Sequence, residues 1–310
     1  MALDTVLKTV AQVPQFGAVC DFLKKNRGTI QVEGLTSALK GAFIANLYQL
    51  LSCHLLIVTY NFEQAEAIYD DLLAFGVESD ELVIVPPTDG VIIPGGDTDV
   101  DVIKSRLSAL LGFLDNKPTV VIAPIAAVLQ RTLPPAILSN NLIRIENGEF
   151  LDLDECVRRL VDLGYERTPM VERQGEFSRR GGIIDIYPST ADKPFRIELF
   201  GDEVESIREF DVETQRSAGE VAFIDVAPAR ECLLSDEAAE RVASQVQDLL
   251  RTAMLEMDDE PRRRLETAVE DDILRIENRS YFDGIEYYMP LIFPEPFCML
   301  DYVPSEAVIV

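Results

Sequence analysis

Few residues in this chain are of types that carry covalent or metal chemistry. His54 is the single histidine and tryptophan is absent. That argues against a histidine-based triad or a multi-histidine metal site within the chain. The five cysteines, Cys20, Cys53, Cys156, Cys232 and Cys298, are odd in number and widely spaced. No C-x-x-C pair occurs, so neither a zinc knuckle nor a redox motif is supported. Reduced thiols of a cytoplasmic protein are the expectation.

Phosphate chemistry has one candidate. Gly34-Leu-Thr-Ser-Ala-Leu-Lys40-Gly41 follows an expected strand and opens an expected helix, where a phosphate-binding loop belongs. Such a loop needs G-x-x-x-x-G-K-[ST]. Gly34 and Lys40 fit that pattern. Leu39 replaces the inner glycine, and its Cβ obstructs close approach of backbone to phosphate. Gly41 replaces the hydroxyl residue that would hold Mg²⁺. The expectation is a nucleotide-binding fold without a working nucleotide site, and no cofactor.

Asp97, Asp99 and Asp101 begin like a calcium loop. Val102 then stands where that loop needs glycine, and Ser108 where it needs a bidentate glutamate. Capping of the following helix is the expected role of these carboxylates. Asn278-Arg-Ser280 matches a glycosylation triplet, which has no consequence in a cytoplasmic chain.

The strand Pro194-Phe-Arg-Ile-Glu-Leu-Phe200 is more informative. Period two puts Phe195, Ile197 and Leu199 on one face, toward a core. Arg196, Glu198 and Phe200 fall on the other. An aromatic beside an arginine on a polar face is a common interface anchor. Arg179-Arg180-Gly181 precedes the neighbouring strand and belongs close by. On this pattern alone, a docking face and a solvated, salt-bridged face with one incidental aromatic both remain open.

The elements that must position these residues alternate in type. Thr29–Glu33, Leu55–Thr59, Glu81–Val85 and Thr119–Ala123 read as strands. Ser37–Leu51, Phe62–Phe75 and Asp101–Leu114 read as the helices between them. Buried-type strands alternating with helices imply a parallel sheet covered by helices. After Pro134-Pro135 the character changes. Leu142–Glu146 reads as a strand, and a helix runs from Leu153 to Gly164. Short alternating strands follow at Met170–Arg173, Glu176–Arg179, Ile183–Tyr187, Pro194–Phe200 and Val204–Phe210. Val221–Val226 returns to the buried-strand style. Two helices follow, Ser235–Met254 and about Arg262–Glu277, and Pro304–Val310 ends on an apolar strand. The expectation is an α/β core of residues 1–133 and 219–310, interrupted by an antiparallel α+β domain at 134–218. Ending within a strand, the chain is expected to be a piece of something longer.

Composition bounds the partners. The formal charge is −26 over 310 residues. Nucleic acid and anionic membranes both want a basic face, so neither is the expected partner. A hydrophobic content of 47% excludes global disorder. The N-terminus lacks the charge and apolar run of a secretion signal, and no apolar stretch is long enough to span a membrane.

Two stretches carry a family resemblance: Gln174-Gly-Glu-Phe-Ser-Arg-Arg-Gly-Gly-Ile-Ile-Asp-Ile-Tyr-Pro188, and Pro194-Phe-Arg-Ile-Glu-Leu-Phe-Gly-Asp-Glu-Val-Glu-Ser-Ile-Arg-Glu-Phe-Asp211. They resemble the UvrB-homology module shared by the excision-repair protein UvrB and the bacterial transcription-repair-coupling factor, Mfd. Asp211–Ser217, Ser105–Ser108 and Gly284–Leu291 favour the coupling-factor branch. So do the degenerate phosphate loop and the lack of room between Thr88 and Asp97 for UvrB's aromatic DNA-probing hairpin. The resemblance implies a RecA-like, P-loop-type core with a degenerate nucleotide site. It also implies an inserted domain that docks on UvrA through Arg180, Arg196 and Phe200, with Glu198 and Arg179 counted beside them. It further implies that RNA polymerase and DNA are bound by segments outside these residues, and that a masking contact in the intact protein is missing here, so that binding is constitutive. The other class left open is a UvrB-like, ATP-dependent helicase subunit.

Overall fold

A computed structural model of the chain describes residues 2–25, 28–87, 100–255, 257–282 and 284–310. In chain order its strands are β1 Leu55–Thr59, β2 Leu82–Ile84, β3 Val120–Pro124, β4 Ile143–Glu146, β5 Glu166–Arg167, β6 Glu176–Arg180, β7 Ile183–Ile186, β8 Phe195–Phe200, β9 Glu203–Phe210, β10 Ser217–Glu220, β11 Phe223–Val226 and β12 Val308–Ile309. The chain divides into two compact units. One comprises Met1–Thr88, Ser108–Gln130 and Cys298–Val310; the other comprises Asp89–Leu107 and Arg131–Phe297.

The first unit is α/β. Its four strands pair in parallel in the order β12-β1-β3-β2. Leu55, Ile57, Val120 and Ile122 are buried in the sheet among Phe43, Leu47 and Leu72 of the neighbouring helices. The helix Ser37–Leu51 begins and ends as its apolar pattern predicts. The helix Phe62–Ala74 starts at Asn61, whose side chain accepts the Gln64 amide at 2.9 Å, satisfying one of the orphan N–H groups of the first turn.

The second unit holds a six-stranded sheet in the order β10-β9-β8-β7-β6-β5. It is antiparallel except for the β5–β6 pair. The helix Leu153–Asp162 covers one face of it and buries Cys156 and Leu160 against Phe177, Ile184, Ile197 and Ile207. Asp152 caps this helix, accepting the Asp154 and Glu155 amides at 2.9 Å. The helices Asp236–Met254 and Asp259–Glu277 enclose a further core around Val242, Val246 and Ile276. Arg106 and Glu231 form a buried two-pronged pair at 2.5 and 3.0 Å, and the Thr132 hydroxyl donates to the same carboxylate at 2.6 Å.

Several sequence expectations are corrected. Thr29–Glu33 forms no strand. Its Ile30 and Val32 are exposed, and alternation without a ladder neighbour does not make a sheet. Met170–Arg173 is also not a strand, because the Glu172 and Arg173 amides bond instead to the Glu176 side chain, at 2.7 and 3.0 Å. β10 is exposed throughout, so it has no apolar alternation to read. β11 does not rejoin the parallel sheet but pairs antiparallel with β4. Its Ile224 and Val226 point in while Phe223 and Asp225 point out, as in a sheet with one wet face. The compact units follow this pairing. Residues 219–297 lie with the inserted sheet, and 298–310 return to the parallel one, which differs from boundaries at 133 and 218. The expectations on Thr88–Asp97 and on Asp97 and Asp99 fall outside the described residues. Asp101 lies in the first turn of the helix Val100–Leu114.

Candidate partner-binding face

The six-stranded sheet sorts its side chains by strand parity. Phe177, Ile184, Ile197 and Ile207 face the helix-covered core. The ladder then sets two rows on the opposite face. One runs Arg180, Ile183, Glu198, Ser206, and the other Ser178, Asp185, Arg196, Arg208. Phe200 continues the β8 side of this face and is 79% exposed. Arg180, Arg196, Glu198 and Phe200 therefore share a face, as period two on β8 implies.

Their environments differ. Arg196 is mostly buried, and its fork is closed on Asp185, at 2.7 Å from Nε and 2.9 Å from Nη2. Asp185 is itself 2% exposed. Nη1 of Arg196 donates to the Gln215 carbonyl at 3.3 Å, and the guanidinium lies 4.9 Å from the Phe210 ring centre. The hydrogen bond that Arg196 donates to Asp185 pushes the arginine's pKa further up, so its charge is permanent. Its bidentate fork already faces a carboxylate of its own sheet. Arg180 is exposed and anchored by one bond, from Nη2 to the Pro169 carbonyl at 2.9 Å. Glu198 is half-buried, accepts from the Ser206 hydroxyl at 3.3 Å and stands 3.8 Å from Arg208.

Arg179 is elsewhere. Adjacent strand residues point to opposite faces, so Arg179 shares the Ile184 face. There it is bonded to Asp154, in the first turn of the covering helix. This bond holds the Asp154 carboxyl below the usual carboxylate range. Arg179 closes the sheet onto its helix and is not brought together with Arg180.

Two residues of the face were missed by sequence reasoning. Arg208 follows from the ladder, lying opposite Arg196, a register that no local pattern encodes. Phe150 is 75% exposed and bridges Glu203. Its signal was an aromatic in a turn, just before the Asp152 helix cap, with no periodicity to bury it.

The phosphate-loop candidate has its own geometry. Gly34 is left-handed at φ +83°. Leu39 and Lys40 are exposed, but their amides are already donated to the Thr36 carbonyl, at 3.0 and 3.1 Å. Gly41 is buried against the helix Phe62–Ala74. A Cβ at position 41 would stand 2.5 Å from the Asp71 Cβ and 2.9 Å from its Oδ2. Burial, followed by the nearby Asp70, pushes the Asp71 pKa up. His54 is buried, its Nδ1 accepting the Thr119 amide at 3.3 Å. Among the described residues no group of three or more His, Cys, Asp or Glu is placed to hold a metal, and no helix is long and apolar enough to cross a membrane.

Comparison with known proteins bears on the second unit and on the whole chain. The family described as the UvrB interaction domain matches residues 143–232, which include every member of the face. A transcription-repair-coupling factor of Bacillus subtilis (strain 168) is 27% identical over 310 residues, covering 99% of this chain and 26% of that protein. The same-named protein of Staphylococcus aureus (strain MRSA252) is 31% identical over 286 residues, covering 90% and 24%. That of Staphylococcus haemolyticus (strain JCSC1435) is 30% identical over 283 residues, covering 91% and 24%. The chain thus spans about a quarter of the length of these relatives. Over nearly its whole length it is homologous to the N-terminal region of transcription-repair-coupling factors, with a UvrB interaction domain at residues 143–232.

Proposed function

We propose that this chain recruits UvrA to transcription-coupled nucleotide excision repair, and that it does so without catalysis of its own. The observation that carries the reading is the shared face of Arg180, Glu198 and Phe200 on a UvrB interaction domain. An exposed guanidinium offers planar donors to a partner carboxylate. An exposed phenylalanine beside it offers burial to a pocket. In this reading Arg196 is a positioning residue. Its pair with Asp185 stiffens β7 against β8, so that Glu198 and Phe200 are presented in fixed register. Arg179 secures the sheet from behind.

A RecA-like ancestry for the first unit is part of the same proposal, and so is its silence toward ATP. Two of the amides that would cradle phosphates, those of Leu39 and Lys40, are committed to Thr36, and position 41 has no space for a Mg²⁺-binding hydroxyl. Contacts with RNA polymerase and DNA are assigned to other parts of a longer cytoplasmic protein.

A pull-down with purified UvrA tests the docking face. Arg180→Glu and Phe200→Ala are the informative variants, because both side chains are exposed and their loss leaves the core intact. Each is expected to weaken binding about tenfold or more. Retention of parent-level binding by both would overturn the site. Titration with ATP and Mg²⁺ tests the other half. No saturable binding is expected, and micromolar binding lost on Lys40→Ala would restore the ATP-dependent alternative.

A further inference from the structure

Phe150 and Phe200 are the two most exposed phenylalanines among the described residues, at 75% and 79%. They do not stand apart. Phe200 pairs with Glu203 across the β8–β9 hairpin, and Glu203 bridges Phe150 on its other side. Directly opposed residues in antiparallel pairs project to the same side. The three side chains therefore form one row, Phe200, Glu203, Phe150. Two strand spacings separate the rings' backbones by about 10 Å.

The row is rigidly mounted. Leu151 donates its amide to the Asp202 carbonyl at 2.8 Å, and Val204 donates to the Glu149 carbonyl at 2.9 Å. Gly201 takes the left-handed conformation, φ +66°, that lets a two-residue turn join β8 to β9. Val204, next to Glu203, is 1% exposed and anchors the strand in the core. Neither ring is needed for that core.

The charges around the row indicate what fits it. Glu149, Asp202, Glu203 and Glu205 are all exposed. Phosphate-rich partners such as nucleic acid or an anionic membrane are repelled there. A second copy of this chain is disfavoured too, since a two-fold contact through this row would set Glu203 against Glu203 in a chain of net charge −26. What complements the row is a protein surface with two apolar pockets and a lysine or arginine between them.

We infer that Phe150 and Phe200 form a two-point apolar clamp with Glu203 between them, and that it seats on a basic residue flanked by two pockets on UvrA. The inference rests on the docking proposed above and extends it beyond β8. Phe150 becomes an anchor equal to Phe200, and Glu203 sets the specificity by charge.

The test is UvrA binding by the full chain, measured by calorimetry alongside thermal melting. Phe150→Ala is expected to weaken binding about tenfold or more, the scale of an interface anchor, with melting unchanged because the ring is exposed. Glu203→Lys is expected to weaken it further than Glu203→Gln, since it places like charges together. Should Phe150→Ala bind like the parent while Arg180→Glu and Phe200→Ala lose affinity, the clamp is overturned and the docking face stands. Unchanged or tighter binding by Glu203→Lys overturns the charge assignment. A parent chain that does not bind UvrA overturns the clamp and the docking face together. Phe150→Leu, which keeps apolar bulk, is expected to retain most of the affinity, and its loss alongside a lowered melting point would show a packing role instead.

Discussion

On the docking reading proposed above, Arg196 matters to a surface without being offered by it. Its fork is closed on Asp185, and both groups are largely withdrawn from water. Removing one partner leaves a buried charge unpaired, which costs about 3 kcal/mol or more. Arg196→Ala and Asp185→Asn are therefore both expected to lower the urea midpoint, with Asp185→Asn leaving the arginine partly satisfied through Gln215. If Arg196→Ala instead melts like the parent and loses only partner binding, the arginine is a direct contact and not a strut. Period two in Pro194–Phe200 was enough to place Arg196 on the face. It was not enough to find Asp185, because that partner is set by the β7–β8 register, eleven residues away in the chain. The grouping of Arg179 with Arg180 failed for a simpler reason: neighbours in a strand face opposite ways.

At the scale of elements, the helix Ser37–Leu51 combines a legible start with an illegible packing constraint. Its span followed from the apolar pattern, and so did β1, since continuous apolar runs between helices have few other uses. That Gly41 lies against Asp71 depends on how closely two helices approach, which no one-dimensional pattern carries. Gly41→Ser restores the missing hydroxyl of a phosphate loop. It is expected to destabilise the fold by about 1–3 kcal/mol through overpacking and to bring no Mg²⁺-dependent nucleotide binding. Thermal melting and an ATP titration on the same sample check both halves, and a stable, ATP-binding variant would refute the packing argument. Thr29–Glu33 and β11 show the converse error. Composition alone suggested a strand in the first and a buried parallel partner in the second. Whether such a segment pairs, and with what, is decided by which edge is left open once the rest has folded.

Across the whole molecule, burial leaves a common signature in groups far apart in sequence. Desolvation is the leading cause that pushes Cys156 up to about 11 and both Tyr48 and Tyr165 up to about 12. Their ordinary values are 9.0 and 10.0. Each folded pKa lies above the unfolded one, so the neutral form is favoured by folding. The associated stability is fully present below the unfolded values and is lost as pH rises through the folded ones. Melting temperature is expected to hold steady up to about pH 9 and to fall between about pH 9 and 12. A flat profile across that window would mean these groups reach water more easily than their burial implies. The acidic surface and the buried thiols were both visible as composition, but only the fold separates them into outside and inside. The same holds for the proposed docking face, where the ladder from β8 to β9 slips by one residue at Glu205. Glu203 and Arg208 are an odd number of positions apart, yet both project outward. In a regular strand that spacing would send them to opposite sides. The slip acts as a phase shift that joins the arginine end of the surface to the phenylalanine end. With every residue kept but a regular ladder running through Glu205, β9 would still alternate correctly, and would present its two halves back to back.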